Sequence, residues 1–183
     1  MPERTPSSAT SGSTVLVVED DPINVRIFRK VLERRGNFNV IHSEDVSEIH
    51  RLTASGEIDI VLMDVSLTNS AFDNKPVDGL WIAKTIKTDP QTQAIPVVLV
   101  TANAMVGDRE RFLEVSLADE YVPKPIIDHG AFIALIQQQL ADRALPTDAA
   151  DALPNASPAI GSSSSSGPAA PPSIAFPSIP NAS

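Results

Sequence analysis

The feature that most constrains the fold of this chain is a regular alternation between Thr14 and Arg143. Short apolar runs rich in β-branched residues alternate there with longer amphipathic stretches. The runs are typical of strands buried on both faces of a parallel sheet, and the stretches are typical of helices that pack on one face. Five such units in about 130 residues predict a doubly wound α/β fold with helices on both faces of the sheet.

The element boundaries follow from apolar periodicity and from capping residues. Strands are predicted at Val15–Val18, Phe38–Ile41, Ile58–Met63, Pro96–Val100 and Glu120–Val122. Helices are predicted at Pro22–Gly36, Ser43–Leu52, Leu80–Ile86, Ala104–Leu117 and Asp128–Arg143. The first helix has Asp21 as its cap, and Ile23, Ile27, Phe28 and Val31 form one apolar face. In the last helix Phe132, Ile133, Ile136 and Leu140 are expected to face the core.

Both ends of the chain have a different composition. Residues 1–13 are polar, and residues 144–183 are rich in Pro, Ala and Ser, so we expect disordered segments at both ends. The tail is interpreted as a plain linker with polyproline II character. A weak docking motif built from its few apolar residues is the alternative. Those residues are Ile160, Ile174, Phe176 and Ile179.

Charge and composition exclude several kinds of partner. The formal net charge of -9 disfavours nucleic acids and anionic membranes, which are bound through lysine and arginine. The chain has no cysteine, and its first residues have no apolar segment of the kind found in secretion signals. We therefore expect a cytoplasmic protein that binds neither nucleic acid nor membrane.

Polar residues stand where four of the predicted strands end. They are Glu19–Asp21, Asp64, Thr101 and Lys124. In a doubly wound fold the carboxyl ends of the strands converge, so separate loops should deliver these side chains to one place. Each alone has an ordinary explanation, such as a helix cap or a solvated lysine, but their joint occurrence indicates a site.

Electrostatics predicts either a cation among these acids or an acid whose pKa is raised. Two carboxylates about 4 Å apart repel by about 4 kcal/mol at an effective dielectric near 20. Lys124 supplies one positive charge, and an all-oxygen set of ligands suits Mg²⁺. A cation beside Asp64 would cancel its repulsion of an incoming phosphoryl group, which makes Asp64 a candidate nucleophile toward phosphorus.

At these residues the sequence resembles a known family. The segments Val17–Pro22, Leu62–Asp64, Val100–Ala102 and Tyr121–Pro125 are similar to the signature segments of CheY-like receiver domains of two-component systems. The resemblance covers about Thr14 to Arg143. It implies a flavodoxin-like five-stranded parallel sheet of order 2-1-3-4-5. The stretch after Thr101 looks most like single-domain regulators of the DivK kind and receivers of hybrid kinases.

The resemblance implies a role for each site residue. Asp64 would be the phosphoacceptor, and Asp20 an Mg²⁺ ligand, with Glu19 acting on the metal largely through water. The backbone carbonyl of Ser66 would complete the protein ligands.

The remaining roles concern the phosphoryl group and its readout. Thr101 and Lys124 would contact the phosphoryl group, and Tyr121 would be the switch aromatic. The implied protein is a two-component response regulator. The tail cannot provide a second folded unit, so we expect no output domain, and the protein would act either as an intermediate in a phosphorelay or as an allosteric regulator of a kinase. It is not an enzyme beyond its own phosphoryl transfer and autodephosphorylation. Its expected partners are a histidine kinase or histidine phosphotransfer protein and a downstream protein target.

The loop after the acceptor departs from the family pattern. Thr68 stands where the family has proline four residues after the acceptor, and Pro76 is its possible displaced counterpart. The polar segment Thr68–Lys75 makes this loop longer than usual. Partner choice and phosphoryl lifetime are therefore left open.

Rival functions are disfavoured by particular residues. A haloacid-dehalogenase enzyme needs an aspartate where Ser66 stands, and a flavodoxin or dinucleotide binder needs a phosphate-cradling first loop in place of Glu19–Asp21. The main alternative is a pseudo-receiver, an interaction module that works without phosphorylation. Such modules usually lose the acceptor, the threonine or the lysine, all of which are present here.

Overall fold

The computed structural model describes residues 12–68, 70–102 and 107–144. The terminal segments that we expect to be disordered lie outside these ranges, apart from residues 12, 13 and 144. Along the chain the elements are β1 (Thr14–Val18), α1 (Pro22–Gly36), β2 (Asn39–His42), α2 (Val46–Ala54), β3 (Ile60–Asp64), β4 (Ala71–Phe72), β5 (Lys75–Pro76), α3 (Gly79–Thr88), β6 (Val97–Thr101), α4 (Asp108–Ser116), β7 (Glu120–Pro123) and α5 (His129–Ala144).

Five strands form one parallel sheet in the order β2-β1-β3-β6-β7. This confirms the predicted doubly wound fold, with β6 and β7 as the fourth and fifth strands of the prediction. The three central strands are buried along almost their whole length, which explains why their sequences are continuously apolar. β4 and β5 form a separate antiparallel hairpin that the sequence analysis treated as loop.

Each face of the sheet is covered by its own apolar core. One core lies under α2, α3 and α4 and includes Ile49, Ile82 and Phe112. The other lies under α1 and α5 and includes Phe28 and Ile136. The four residues of α5 predicted to face inward are all buried. None of the helices built from the described residues combines the length and apolarity needed to span a membrane.

The apolar face of α1 is only half buried, which differs from the single inward face expected from its spacing. Phe28 and Val31 are in the core, whereas Ile23 is 67% exposed and Ile27 is 47% exposed. These two residues lie in the first turns of the helix, just after the Asp21 cap, whose side chain accepts a hydrogen bond from the Ile23 amide. The periodicity predicted the helix correctly but not which part of its apolar face touches the sheet.

Two helices begin at a different residue than predicted, because their capping side chains fix the start. α2 begins at Val46, three residues later than predicted, because Asp45 accepts a hydrogen bond from the Glu48 amide. α3 begins one residue earlier than predicted, because Asp78 caps it through the Trp81 amide. The predicted start of α4 at Ala104 lies outside the described residues.

Candidate acidic site

The residues of the site lie at the carboxyl ends of four strands of the sheet. Glu19 follows β1, Asp64 ends β3, Thr101 ends β6 and Lys124 follows β7. Glu19, Asp64 and Thr101 are 1%, 5% and 0% exposed. The parallel register of the sheet brings the ends of these strands to one edge, as the strand-end argument predicts. The structure thus places the predicted acids and the lysine together.

Lys124 bridges the two buried carboxylates. Its Nζ lies 2.7 Å from Glu19 Oε2 and 3.0 Å from Asp64 Oδ2. Burial alone would lower the pKa of Lys124, but the two carboxylates outweigh it and raise that pKa above its usual 10.5. The lysine is therefore firmly cationic and neutralises part of the acidic charge.

The pKa of Glu19 is subject to opposing effects. Burial raises the pKa of its carboxyl group, the hydrogen bond from Lys124 opposes that rise, and the charge of Asp64 adds to it. Glu19 also accepts a hydrogen bond from the Asp21 amide at 3.1 Å. Its position is therefore fixed from two sides.

Three carboxylates form the candidate metal centre. Glu19, Asp20 and Asp64 each offer a ligand oxygen, and these oxygens lie within 4.8 Å of one another. Three ionised acids beside one lysine leave a formal charge of about -2, which a divalent cation would cancel. Oxygen donors are those that Mg²⁺ prefers, so the chemistry of the residues fits the ion.

The chain after Asp64 folds back onto the site. The Ser66 amide donates a hydrogen bond to Asp64 Oδ1 at 3.2 Å. Thr68 donates twice to Asp20 Oδ2, from its amide at 2.8 Å and from its hydroxyl at 2.6 Å. The carbonyl of Ser66 as a metal ligand stays a prediction.

Thr101 and Tyr121 lie in the neighbouring strands β6 and β7. The Thr101 carbonyl accepts a hydrogen bond from the Lys124 amide at 2.7 Å, just before the cis Lys124–Pro125 peptide. Tyr121 is half-buried, with its ring 6.2 Å from that of Phe112. Burial, and then the charge of Asp108, raise the pKa of the Tyr121 hydroxyl. The threonine and the tyrosine are thus placed on adjacent strands, with the lysine joined to the threonine backbone.

The hairpin formed by β4 and β5 rests on the helices beside the site. Phe72 packs against Trp81, with ring centroids 5.3 Å apart, and against His50 at 6.0 Å. Its turn residues Asp73 and Asn74 have φ of 51° and 60°, as expected for a two-residue turn of the kind that joins hairpin strands. This Asp-Asn pair between Phe72 and Lys75 is the sequence signal that would have predicted the hairpin.

Gly79 sets where the loop must rejoin the fold. A Cβ atom at this position would lie 1.8 Å from the Asp64 carbonyl oxygen, so any side chain would collide with the end of β3. The Gly79 amide donates to the Val65 carbonyl at 3.3 Å. The first turn of α3 is therefore packed directly against the end of β3.

A groove of about 1000 Å³ lies between α1 and α5, next to the site. Its walls include Ile27, Phe28, Phe132 and Lys124. Basic residues of α1, Lys30 and Arg34 among them, also line it. The exposed Ile27 of α1 therefore lies on the wall of an open groove that Lys124 also lines.

Comparison with known proteins identifies the relatives of this fold and site. Residues 15–137 match the family model described as the response regulator receiver domain. The chain is 34% identical over 129 residues to the polar-differentiation response regulator DivK of Brucella anthropi, which covers 70% of this chain and 97% of that protein.

Solved structures agree with this relationship. One is the receiver domain of the sensor histidine kinase PA1611 from Pseudomonas aeruginosa with a magnesium ion coordinated in the active site cleft. It has a TM-score of 0.59 and 26% identity, and it covers 71% of this chain and 98% of that chain. A CheY-like receiver domain protein from Methanospirillum hungatei has the same fold, with a TM-score of 0.59, 19% identity, and coverage of 73% and 97%.

Proposed function

The chain belongs to the response regulator receiver domain family, and from this premise we propose that it accepts a phosphoryl group on Asp64. The observation that carries the proposal is the ion-paired geometry of the acceptor. Asp64 is 5% exposed, and its Oδ2 lies 3.0 Å from Lys124 Nζ. A buried carboxylate beside a fixed cation is suited to attack phosphorus, because the cation offsets the charge of the incoming group.

The transfer forms one bond and breaks another. A carboxylate oxygen of Asp64 attacks phosphorus as the bond from phosphorus to the donor histidine nitrogen breaks. The proton needed by the departing imidazole comes from solvent. Water later attacks the aspartyl phosphate and returns the carboxylate and inorganic phosphate.

We assign the remaining side chains around this step. Asp20 and Asp64 would bind Mg²⁺, with Glu19 acting through water and the Ser66 carbonyl completing the set. A bound Mg²⁺ would supply positive charge to the phosphoryl oxygens. Lys124 would pair with the phosphoryl group.

Transmission would run through Thr101 and Tyr121. The phosphoryl oxygen offers the Thr101 hydroxyl a charge-assisted hydrogen bond, and Tyr121 would turn into the space that Thr101 vacates. Thr101→Ala should therefore still accept phosphate but bind its downstream target with no phosphorylation-dependent gain. Backbone chemical shifts around Tyr121 with and without beryllofluoride test this, and a full response in the variant would contradict it.

The donor would be a histidine kinase or a histidine phosphotransfer protein. The groove between α1 and α5 supports docking of such a partner beside the acceptor, because both Lys124 and the exposed Ile27 line it. A downstream protein target follows from the same proposal. The cytoplasmic location expected from the sequence stays a prediction.

The deciding experiment is acyl phosphate formation with acetyl phosphate. The wild type should be labelled in Mg²⁺ and not in excess chelator, whereas Asp64→Asn should not be labelled in either. Asp78→Asn, at the exposed cap of α3, is the matched control and should be labelled like the wild type. Labelling of Asp64→Asn at the wild-type level would contradict Asp64 as the acceptor, and absence of labelling in the wild type itself would favour the pseudo-receiver alternative.

A further inference from the structure

We propose that Thr68 is a positioning residue for the metal centre, holding the Asp20 carboxylate in place to receive Mg²⁺. The inference deepens the proposed function and rests on its cation site. Its basis is the pair of hydrogen bonds from Thr68 to one carboxylate oxygen. The amide reaches Asp20 Oδ2 at 2.8 Å and the hydroxyl reaches the same atom at 2.6 Å. Two short bonds from one residue restrict both the position and the rotation of the carboxylate.

Asp20 is the acid that most needs such restraint. Glu19 and Asp64 are buried and share Lys124, whereas Asp20 is only partly buried. In the absence of a cation, repulsion from the two buried acids favours rotation of the Asp20 side chain toward solvent. The two donors of Thr68 oppose that rotation, so they keep the third ligand near the other two.

The Thr68 hydrogen bonds also favour one way for the Asp20 carboxylate to bind Mg²⁺. Two donors on Oδ2 occupy its lone-pair directions, so the metal would be bound through the other oxygen of Asp20. Single-oxygen carboxylate ligation suits the octahedral geometry of Mg²⁺. Thr68 is therefore placed to select one mode of binding by Asp20.

Thr68 can do this because the chain around it is anchored. Leu67 is 8% exposed and Ser70 is 4% exposed, and the Ser70 hydroxyl donates to the Glu44 carbonyl at 3.2 Å. The hairpin that follows is fixed by Phe72 on Trp81. The exposed Thr68 thus lies between two buried anchors.

Proline, which the family pattern has at this position, could make neither bond. It carries no amide hydrogen and no hydroxyl. The restraint on Asp20 therefore comes from the altered loop of this chain.

The test measures Mg²⁺ affinity of the full chain by isothermal titration calorimetry. Thr68→Val keeps the shape and the amide but removes the hydroxyl, and we expect about tenfold weaker binding, the lower end of the usual effect of residues behind a metal ligand. Thr68→Ser should restore affinity to near the wild-type value. Thr68→Pro should weaken binding further.

Thr88→Val is the matched control, because the Thr88 hydroxyl donates to the Lys84 carbonyl at the far end of α3. Its Mg²⁺ affinity should equal that of the wild type. Melting temperatures in chelator check that each variant is folded. Mg²⁺ binding by Thr68→Val as tight as or tighter than wild type would overturn the inference while leaving the proposed function intact. Failure of the wild type itself to bind Mg²⁺ would overturn the metal centre and the inference with it.

Discussion

The acidic site has a lysine side, formed by Glu19, Asp64 and Lys124, and a threonine side, formed by Asp20 and Thr68. On the lysine side the two carboxylates are buried, and each forms an ion pair with the same Lys124 ammonium group. On the threonine side the carboxylate is partly exposed and bound by hydrogen bonds from a loop. Removing a charged group should therefore lower the unfolding free energy much more on the lysine side than on the threonine side.

The two sides of the site come from different parts of the fold. The lysine side comes from strand ends whose positions are set by the sheet and its cores. The threonine side comes from a connection between two elements, where residues are replaced with little effect on folding. Residues of the threonine side can therefore change without disturbing the ion pairs of the lysine side.

The largest effect that tests this contrast is expected from Lys124→Met. The change leaves two buried carboxylates without their cation, so the metal-free protein should lose about 3 kcal/mol of unfolding free energy. Urea unfolding in chelator measures the loss, and added Mg²⁺ should recover part of it. Lys75→Met, on the exposed hairpin, is the control and should change stability by less than about 0.5 kcal/mol. Similar losses of unfolding free energy in Lys124→Met and Lys75→Met would contradict the contrast between the two sides.

An intermediate effect is expected from Phe72→Ala. Phe72 is half-buried against Trp81, so its removal should lower the unfolding free energy by about 1.5 kcal/mol, below the range for a fully buried phenylalanine. The emission of Trp81, the single tryptophan, should shift to longer wavelength as the ring gains solvent. Labelling of Asp64 by acetyl phosphate should persist. Loss of labelling would mean that the hairpin belongs functionally with the lysine side.

The smallest effect is expected from Asn74→Gly in the hairpin turn. Asn74 has a φ of 60°, a conformation that glycine adopts without strain, so the variant should be more stable by about 0.5 kcal/mol. Asp73→Ala, at a φ of 51°, should have the opposite sign. Thermal unfolding of the two variants measures both changes in stability. Neither variant should alter the ion pairs of the lysine side. An equal loss of stability in both would show that side-chain contacts, rather than backbone strain, fix the turn.

The sheet and the lysine side could be predicted from the sequence because a repeated pattern encodes them. Apolar runs located the strands, and the topology of parallel strands then brought Asp64 and Lys124 to one edge. No such rule predicts the path of a loop between two elements. The bonds from Thr68 to Asp20 depend on the path of a single loop, and Thr68 entered the sequence analysis only as a departure from the family pattern.

The apolar face of α1 shows a second limit of sequence reasoning. Ile23 and Ile27 have the same helical spacing as the buried Phe28 and Val31, yet they are exposed. Periodicity reports which residues share a face of a helix. It does not report whether that face is covered by the protein's own core or left beside an open groove.

Gly79 has a consequence for how this corner of the molecule can evolve. Its contact with the Asp64 carbonyl pins the end of the loop, just as β3 pins its beginning. The entropy of closing a loop between two fixed points grows slowly, by about 0.6 kcal/mol for each doubling of its length. Lengthening this connection therefore adds little to the entropic cost of folding, provided that the buried Leu67 and Ser70 and the contact of Phe72 with Trp81 are kept. The loop can thus change in length and sequence while the strand end that carries Asp64 stays in place.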